Sequence, residues 1–170
     1  VVGIRTTQEL IEADATVVCL GAWSQKLLQP FRINPSIYPV RGYSVTLPAG
    51  VCAPEISVTN LKKRIVYSRL ASGIRIAGFA DFVGFDSRQD EKRIRMLLQT
   101  AQQAAPQAAD YSARESHPWG GFRPVTPTGR PQVGRTKLGG LFLNTGHGSL
   151  GWTLACATAD AVAEDITNSE

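Results

Sequence analysis

Apolar positions along the chain fall into three patterns, and each predicts a different kind of element. Ala15-Thr-Val-Val-Cys-Leu-Gly21 is a nearly continuous apolar run that stops at glycine, as expected of a buried parallel strand. Val1 to Arg5 is strand-like as well, and Ser24 is placed to cap a short helix through Leu27 and Leu28. Val40–Leu47, Arg64–Leu70 and Ile74–Gly84 are β-rich stretches bounded by Pro or Gly, with Ser72-Gly73 as a hairpin turn between the last two. Ile94, Leu97, Leu98, Ala101 and Ala105 then recur at helical spacing, behind a cap at Asp86 or Ser87 and ahead of the stop at Pro106. Such a helix packs on an antiparallel sheet.

The rest of the chain is patterned differently. From Trp119 to Gly134, Pro124, Pro127, Pro131 and four glycines crowd out any regular element. Leu141 to Asn144 predicts a short buried strand. Gly146-His-Gly-Ser-Leu-Gly151 follows it and opens into a helix from Trp152 to about Ile166. The fold class is therefore α+β, a mixed and largely antiparallel sheet with packed helices, joined to the remnants of an α/β layer. Three segments are expected: 1–37 as the α/β remnant, 38–134 as a mixed domain, and 135–170 as a strand, loop and helix returning to the first. No Gly-x-Gly-x-x-Gly follows a strand, so no complete dinucleotide fold is encoded, and the chain reads as a piece of something longer.

Composition narrows the function classes. A formal charge of +4 with scattered basic residues does not resemble a nucleic-acid binder. The densest basic run, Lys62-Lys63-Arg64, reads as a solvated turn before a strand. Cys19, Cys52 and Cys156 are odd in number and lack CxxC spacing, which predicts reduced, buried thiols in a cytosolic protein. With His117 and His147 alone and no carboxylate cluster beside them, no metal site is expected. No apolar run is long enough to span a bilayer, so any membrane contact is peripheral.

Two places have the chemistry to hold a ligand. A strand, a glycine turn and a helix start together present free backbone N–H groups and the positive end of a helix dipole, which suits negative charge. Gly146, Gly148 and Gly151 let a ligand approach that backbone, although such a turn is often only a tight connection. Arg123, between Gly121 and Pro124, can grip a carboxylate with two parallel hydrogen bonds or pair with a structural acid. Tyr43 and Tyr67 lie on strands where either ring faces a pocket or packs.

Four stretches together resemble a known family: Tyr38-Pro-Val-Arg-Gly-Tyr-Ser-Val-Thr-Leu47, Ile74 to Asp86, Gly121-Phe-Arg-Pro-Val-Thr-Pro-Thr-Gly129, and Leu143-Asn-Thr-Gly-His-Gly-Ser-Leu-Gly-Trp-Thr-Leu-Ala-Cys156. They look like the D-amino-acid oxidase superfamily of flavoproteins, and within it the bacterial D-amino-acid dehydrogenases. The resemblance implies the C-terminal part of a two-domain FAD enzyme that converts D-amino acids to 2-oxo acids and ammonia by hydride transfer to flavin. It implies a substrate site at Arg123 and Tyr43. It implies flavin contacts at Gly146, His147, Gly148, Ser149, Leu150, Gly151 and Trp152, with Arg41 and Gly42 approaching the flavin from a second segment. A membrane quinone or the respiratory chain is the implied electron acceptor, at the inner face of a bacterial membrane. A glycine- or sarcosine-oxidase-like enzyme, or a non-catalytic truncated domain, are the alternatives. Thr128 departs from the aspartate usual before Gly129, and Arg41 from the usual lysine.

Overall fold

The computed structural model describes residues Val1–Asn168, which form two compact units, one of Val1–Pro39 with Arg123 onward and one of Val40–Phe122. The division differs from the expected segments, because residues 123–134 belong with the chain ends rather than with the mixed domain.

The unit of residues 40–122 is a sheet backed by a helix. Taking the strands in chain order, β1 is Gly3–Arg5, β2 Leu10–Glu12, β3 Thr16–Val18, β4 Tyr38–Leu47, β5 Val58–Asn60, β6 Ile65–Leu70, β7 Gly73–Asp81, β8 His117–Val125, β9 Gln132–Arg135 and β10 Leu141–Thr145. The helices are α1 (Ser24–Leu28), α2 (Glu91–Ala104) and α3 (Gly151–Thr167). In this unit the strand order is β5-β6-β7-β4-β8, with β5/β6, β6/β7 and β7/β4 antiparallel. Val45, Ile65, Tyr67, Ile74 and Ile76 of the sheet bury against Ile94, Leu97 and Ala101 of α2. Gly78 lets the helix approach: a Cβ there would lie 2.9 Å from Leu97 Cδ1. The Tyr67 hydroxyl donates to the carbonyl of Ala101 at 2.9 Å, which satisfies the one polar atom its ring brings inside.

Two expectations are corrected here. The cap of α2 is Asp90, whose carboxylate accepts from the Arg93 N–H at 3.0 Å. Asp86 instead closes a local turn by accepting from the Arg88 backbone and guanidinium. The segment from Trp119 is not irregular throughout, because β8 runs through Gly120, Gly121 and Pro124. As an edge strand it tolerates a proline that lacks a ladder N–H. The irregular part is only 126–131, where Gly129 takes φ +70°.

The other unit is built on β3-β10-β9, with β3 parallel to β10 through Thr16↔Leu141 and Val18↔Leu143, and β9 antiparallel to it. Val18, Leu28, Leu141 and Leu143 form its small core. The β1–β2 hairpin, of which the sequence pattern predicted one arm, is largely exposed. Ser24 does not cap α1; it is fully buried and its hydroxyl bonds that of Thr145 at 2.8 Å. All three cysteines are free thiols but exposed, against the expectation of burial: Cys156 lies on the outer side of α3 and Cys52 in a surface turn.

Candidate functional site

In the unit that carries the chain ends, β10 delivers Thr145 into a fixed position, and the turn follows from it. The Thr145 hydroxyl donates to the carbonyl of Gly21 at 3.1 Å. Gly146 then takes φ +81° under the side chains of Thr126 and Ile37, where a Cβ would meet Thr126 Cγ2 at 2.8 Å. Gly148 takes φ +58°, yet a Cβ there would meet nothing within 4 Å. The first glycine is required by packing inside the chain, the second by backbone conformation beside open space.

His147 turns its ring onto α3, where Nε2 lies 3.3 Å from the Thr158 hydroxyl. That hydroxyl donates to the Leu154 carbonyl at 3.0 Å, so Nε2–H is the donor towards it. Burial pushes the imidazole below its ordinary pKa, which keeps the ring neutral. α3 begins at Gly151, one residue before the expected start, and no side chain caps its first turn. Its leading N–H groups therefore have no intrahelical or side-chain partner. Leu150 is exposed, and Trp152 is 96% exposed.

The residue after the substrate candidate is bonded to this turn. Arg123 is half-buried at the end of β8. The Gly148 N–H donates to the carbonyl of the next residue, Pro124, at 2.9 Å. The structure thus brings together Arg123 and Gly146, His147, Gly148, Ser149, Leu150, Gly151 and Trp152 within one unit.

In the 40–122 unit, Arg41, Gly42 and Tyr43 are all buried. Arg41 is 4% exposed; its two terminal nitrogens donate to the carbonyls of Asp86 and Ser87, the latter at 3.0 Å. Its guanidinium lies 5.4 Å from the Tyr43 ring centroid and 5.5 Å from that of Phe122. Gly120 leaves room for it, since a Cβ there would come within 2.9 Å of Nη2. The Arg41 side chain is thereby committed to holding the 86–87 loop, and only Nε is buried with no partner. Gly42 is buried in a bulge: Arg41 pairs Asp81 and Tyr43 pairs Gly78, so Phe79 and Ala80 both face Gly42. Tyr43 is 4% exposed and packs in the core of this unit.

Asp81 organises this cluster, and sequence reading passed over it. Its carboxylate accepts from both Nε (2.7 Å) and Nη2 of Arg93, and from the Tyr43 hydroxyl. Those bonds, the Arg93 ones first, hold Asp81 below the usual carboxylate range. Burial followed by the Asp81 contact raises the Tyr43 hydroxyl. Arg93 also lies 4.9 Å over the Phe79 ring, whose residue takes φ +64°. The available signal was an acid interrupting the apolar run Ile74–Phe82.

Open space over Gly148 and an uncapped helix start together fit a polar, partly anionic cofactor edge. Among the described residues no cluster of His, Cys, Asp and Glu could hold a metal ion.

A parallel strand, a glycine turn and an uncapped helix start are tied to the loop that carries Arg123. The chain belongs to the FAD dependent oxidoreductase family, whose model matches residues 1–165. It is 44% identical over 172 residues to D-amino acid dehydrogenase 2 of Ralstonia nicotianae, covering 96% of this chain and 40% of that protein. It is 40% identical to D-amino acid dehydrogenase of Vibrio cholerae, covering all of this chain and 40% of that one. Glycine oxidase from Geobacillus kaustophilus has a similar structure, with a TM-score of 0.82 and 27% identity over 96% of this chain and 44% of its own. The chain thus spans about 40% of the length of the curated relatives it matches.

Proposed function

We propose that this chain supplies the substrate-facing part of an FAD-dependent enzyme that oxidatively deaminates D-amino acids to 2-oxo acids and ammonia. The observation that carries the reading is the hydrogen bond from the Gly148 N–H to the Pro124 carbonyl, which ties the Arg123 loop to the glycine turn. Arg123 binds the substrate α-carboxylate with a bidentate, charge-assisted pair and so fixes the direction of the Cα–H bond. When bound, the flavin is the hydride acceptor. The first turn of α3 offers its unpaired N–H groups and positive dipole end to negative charge on the cofactor, worth about 1 kcal/mol. His147 holds the turn against α3 through the Thr158 hydroxyl.

Arg41 holds the 86–87 loop through the carbonyls of Asp86 and Ser87 and so keeps the segment that carries Gly42 in shape. Electrons pass on to a membrane quinone, which makes the whole protein a peripheral membrane enzyme; no described helix is long and apolar enough to cross a membrane.

In the whole protein, Arg123→Ala is expected to lower kcat/KM for D-amino acids through a raised KM. The loss of the charge-assisted pair corresponds to about 2–4 kcal/mol, or roughly thirty- to a thousandfold. Anaerobic bleaching of the flavin by a panel of D- and L-amino acids, glycine and N-methylglycine measures it. An unchanged KM removes Arg123 from the carboxylate role. Bleaching by N-methylglycine but by no D-amino acid would move the enzyme to the glycine-oxidase type.

A further inference from the structure

The β5–β6 hairpin ends in Leu61-Lys62-Lys63-Arg64, and this tip has a character found nowhere else in the described residues. The arginines around α2 are each neutralised: Arg88 by Asp86, Arg93 by Asp81 and Arg95 by Glu91. Lys62, Lys63 and Arg64 are consecutive, exposed, and in no ion pair among the described residues. Glu55 is the one acid between residues 55 and 64.

The tip is a built turn rather than a loose one. The Lys63 N–H donates to Asn60 Oδ1 at 3.0 Å, and Arg64 takes the left-handed φ of 54° that returns the chain into β6. Immediately before the cations stands Leu61, 83% exposed, and Ile56 is exposed just ahead of β5.

Charge and shape restrict what such a tip fits. A second copy would bring like charge against like. A folded acidic partner would complement the cations but would need a socket for a protruding leucine. A soft layer that is anionic at its surface and apolar beneath accepts both at once. We propose that the Leu61–Arg64 tip docks the protein on an anionic bilayer surface, with Leu61 entering the headgroup boundary and the three cations meeting lipid phosphates. This deepens the proposed hand-over of electrons at a membrane, but it stands on the tip's own exposure and charge.

The test is sedimentation of the full-length, flavin-loaded protein with phosphatidylcholine vesicles, with and without phosphatidylglycerol, at low and high salt. Binding is expected to require phosphatidylglycerol and to fall at high salt. Lys62→Gln with Lys63→Gln should weaken it by roughly thirtyfold, at about fivefold per cation. Leu61→Ser should weaken it at both salt concentrations. Dye-linked oxidation of D-amino acids in solution should be unchanged in every variant. Wild-type binding indifferent to phosphatidylglycerol, or variants that bind like wild type, overturns the proposal. So does a shift of the variants' oligomeric state on gel filtration, which would assign the tip to a second copy. Loss of vesicle binding with activity intact speaks to the tip alone. Absence of activity with binding intact speaks against the D-amino acid reading and leaves the tip standing.

Discussion

Helices α2 and α3 come from the same chain and bury themselves in opposite ways. α2 carries Glu91, Lys92, Arg93 and Arg95 in its first turns, yet Ile94, Leu97 and Ala101 line up on one side and Leu97 is fully buried. α3 is the more apolar, with five alanines between Ala155 and Ala163, yet of its residues Thr158 and Val162 alone are buried. Leu20, Trp23, Leu27, Phe31, Leu150 and Trp152 of the same unit are exposed too. A helix with a single apolar stripe has one neighbour, and one that is apolar all round is built to be covered from several sides. The 40–122 unit closes its own core. The other unit displays an apolar surface of the kind that marks an interface.

The sharpest way to break that contrast is Leu97→Ala. It removes a fully buried side chain that contacts the sheet at Gly78, and is expected to destabilise the chain by about 2–5 kcal/mol in urea unfolding. A cost under ~1 kcal/mol would mean that the core is not closed. Next in size is Asp81→Asn, which leaves Arg93 with a neutral partner and should cost about 2 kcal/mol at neutral pH. The folded-state pKa of Asp81 lies below its unfolded value of about 3.9, so its contribution is complete above that value. It is lost as pH falls through the lower folded value. Asp81→Asn should therefore flatten the acid side of the stability profile, and an unchanged acid limb would assign that limb to other carboxylates. The smallest effect belongs to Trp152→Ser. At 96% exposure it should alter stability by no more than about 0.5 kcal/mol, while weakening flavin retention in the whole protein. A large loss of stability from Trp152→Ser would erase the distinction between the two units.

Legibility in the sequence follows the same divide. α2 and β4, β6 and β7 are patterned by their own core, so periodic Ile94, Leu97 and Ala101 and the alternation of Ile74 and Ile76 suffice to find them. β8 was hidden because an edge strand admits Gly120, Gly121 and Pro124, which elsewhere break structure. β5 is a three-residue edge with no apolar alternation of its own. The Gly146–Trp152 turn was visible as a motif, but its bond to Pro124 was not, since no local pattern encodes which carbonyl a left-handed glycine will meet. The burial of Tyr43 and Arg41 escaped for a related reason: alternation gives the face of a residue, and the bulge at Phe79 decides what lies on it.

The pairing of β3 with β10 joins Thr16 to Leu141, more than a hundred residues later, with the 40–122 unit inserted between them. On a ribosome the inserted unit emerges whole and closes its antiparallel sheet through near neighbours, while β3 waits without its parallel partner. Folding of the inserted unit shortens the loop that β3 and β10 must close, which lowers the entropic cost of bringing Thr16 and Leu141 together.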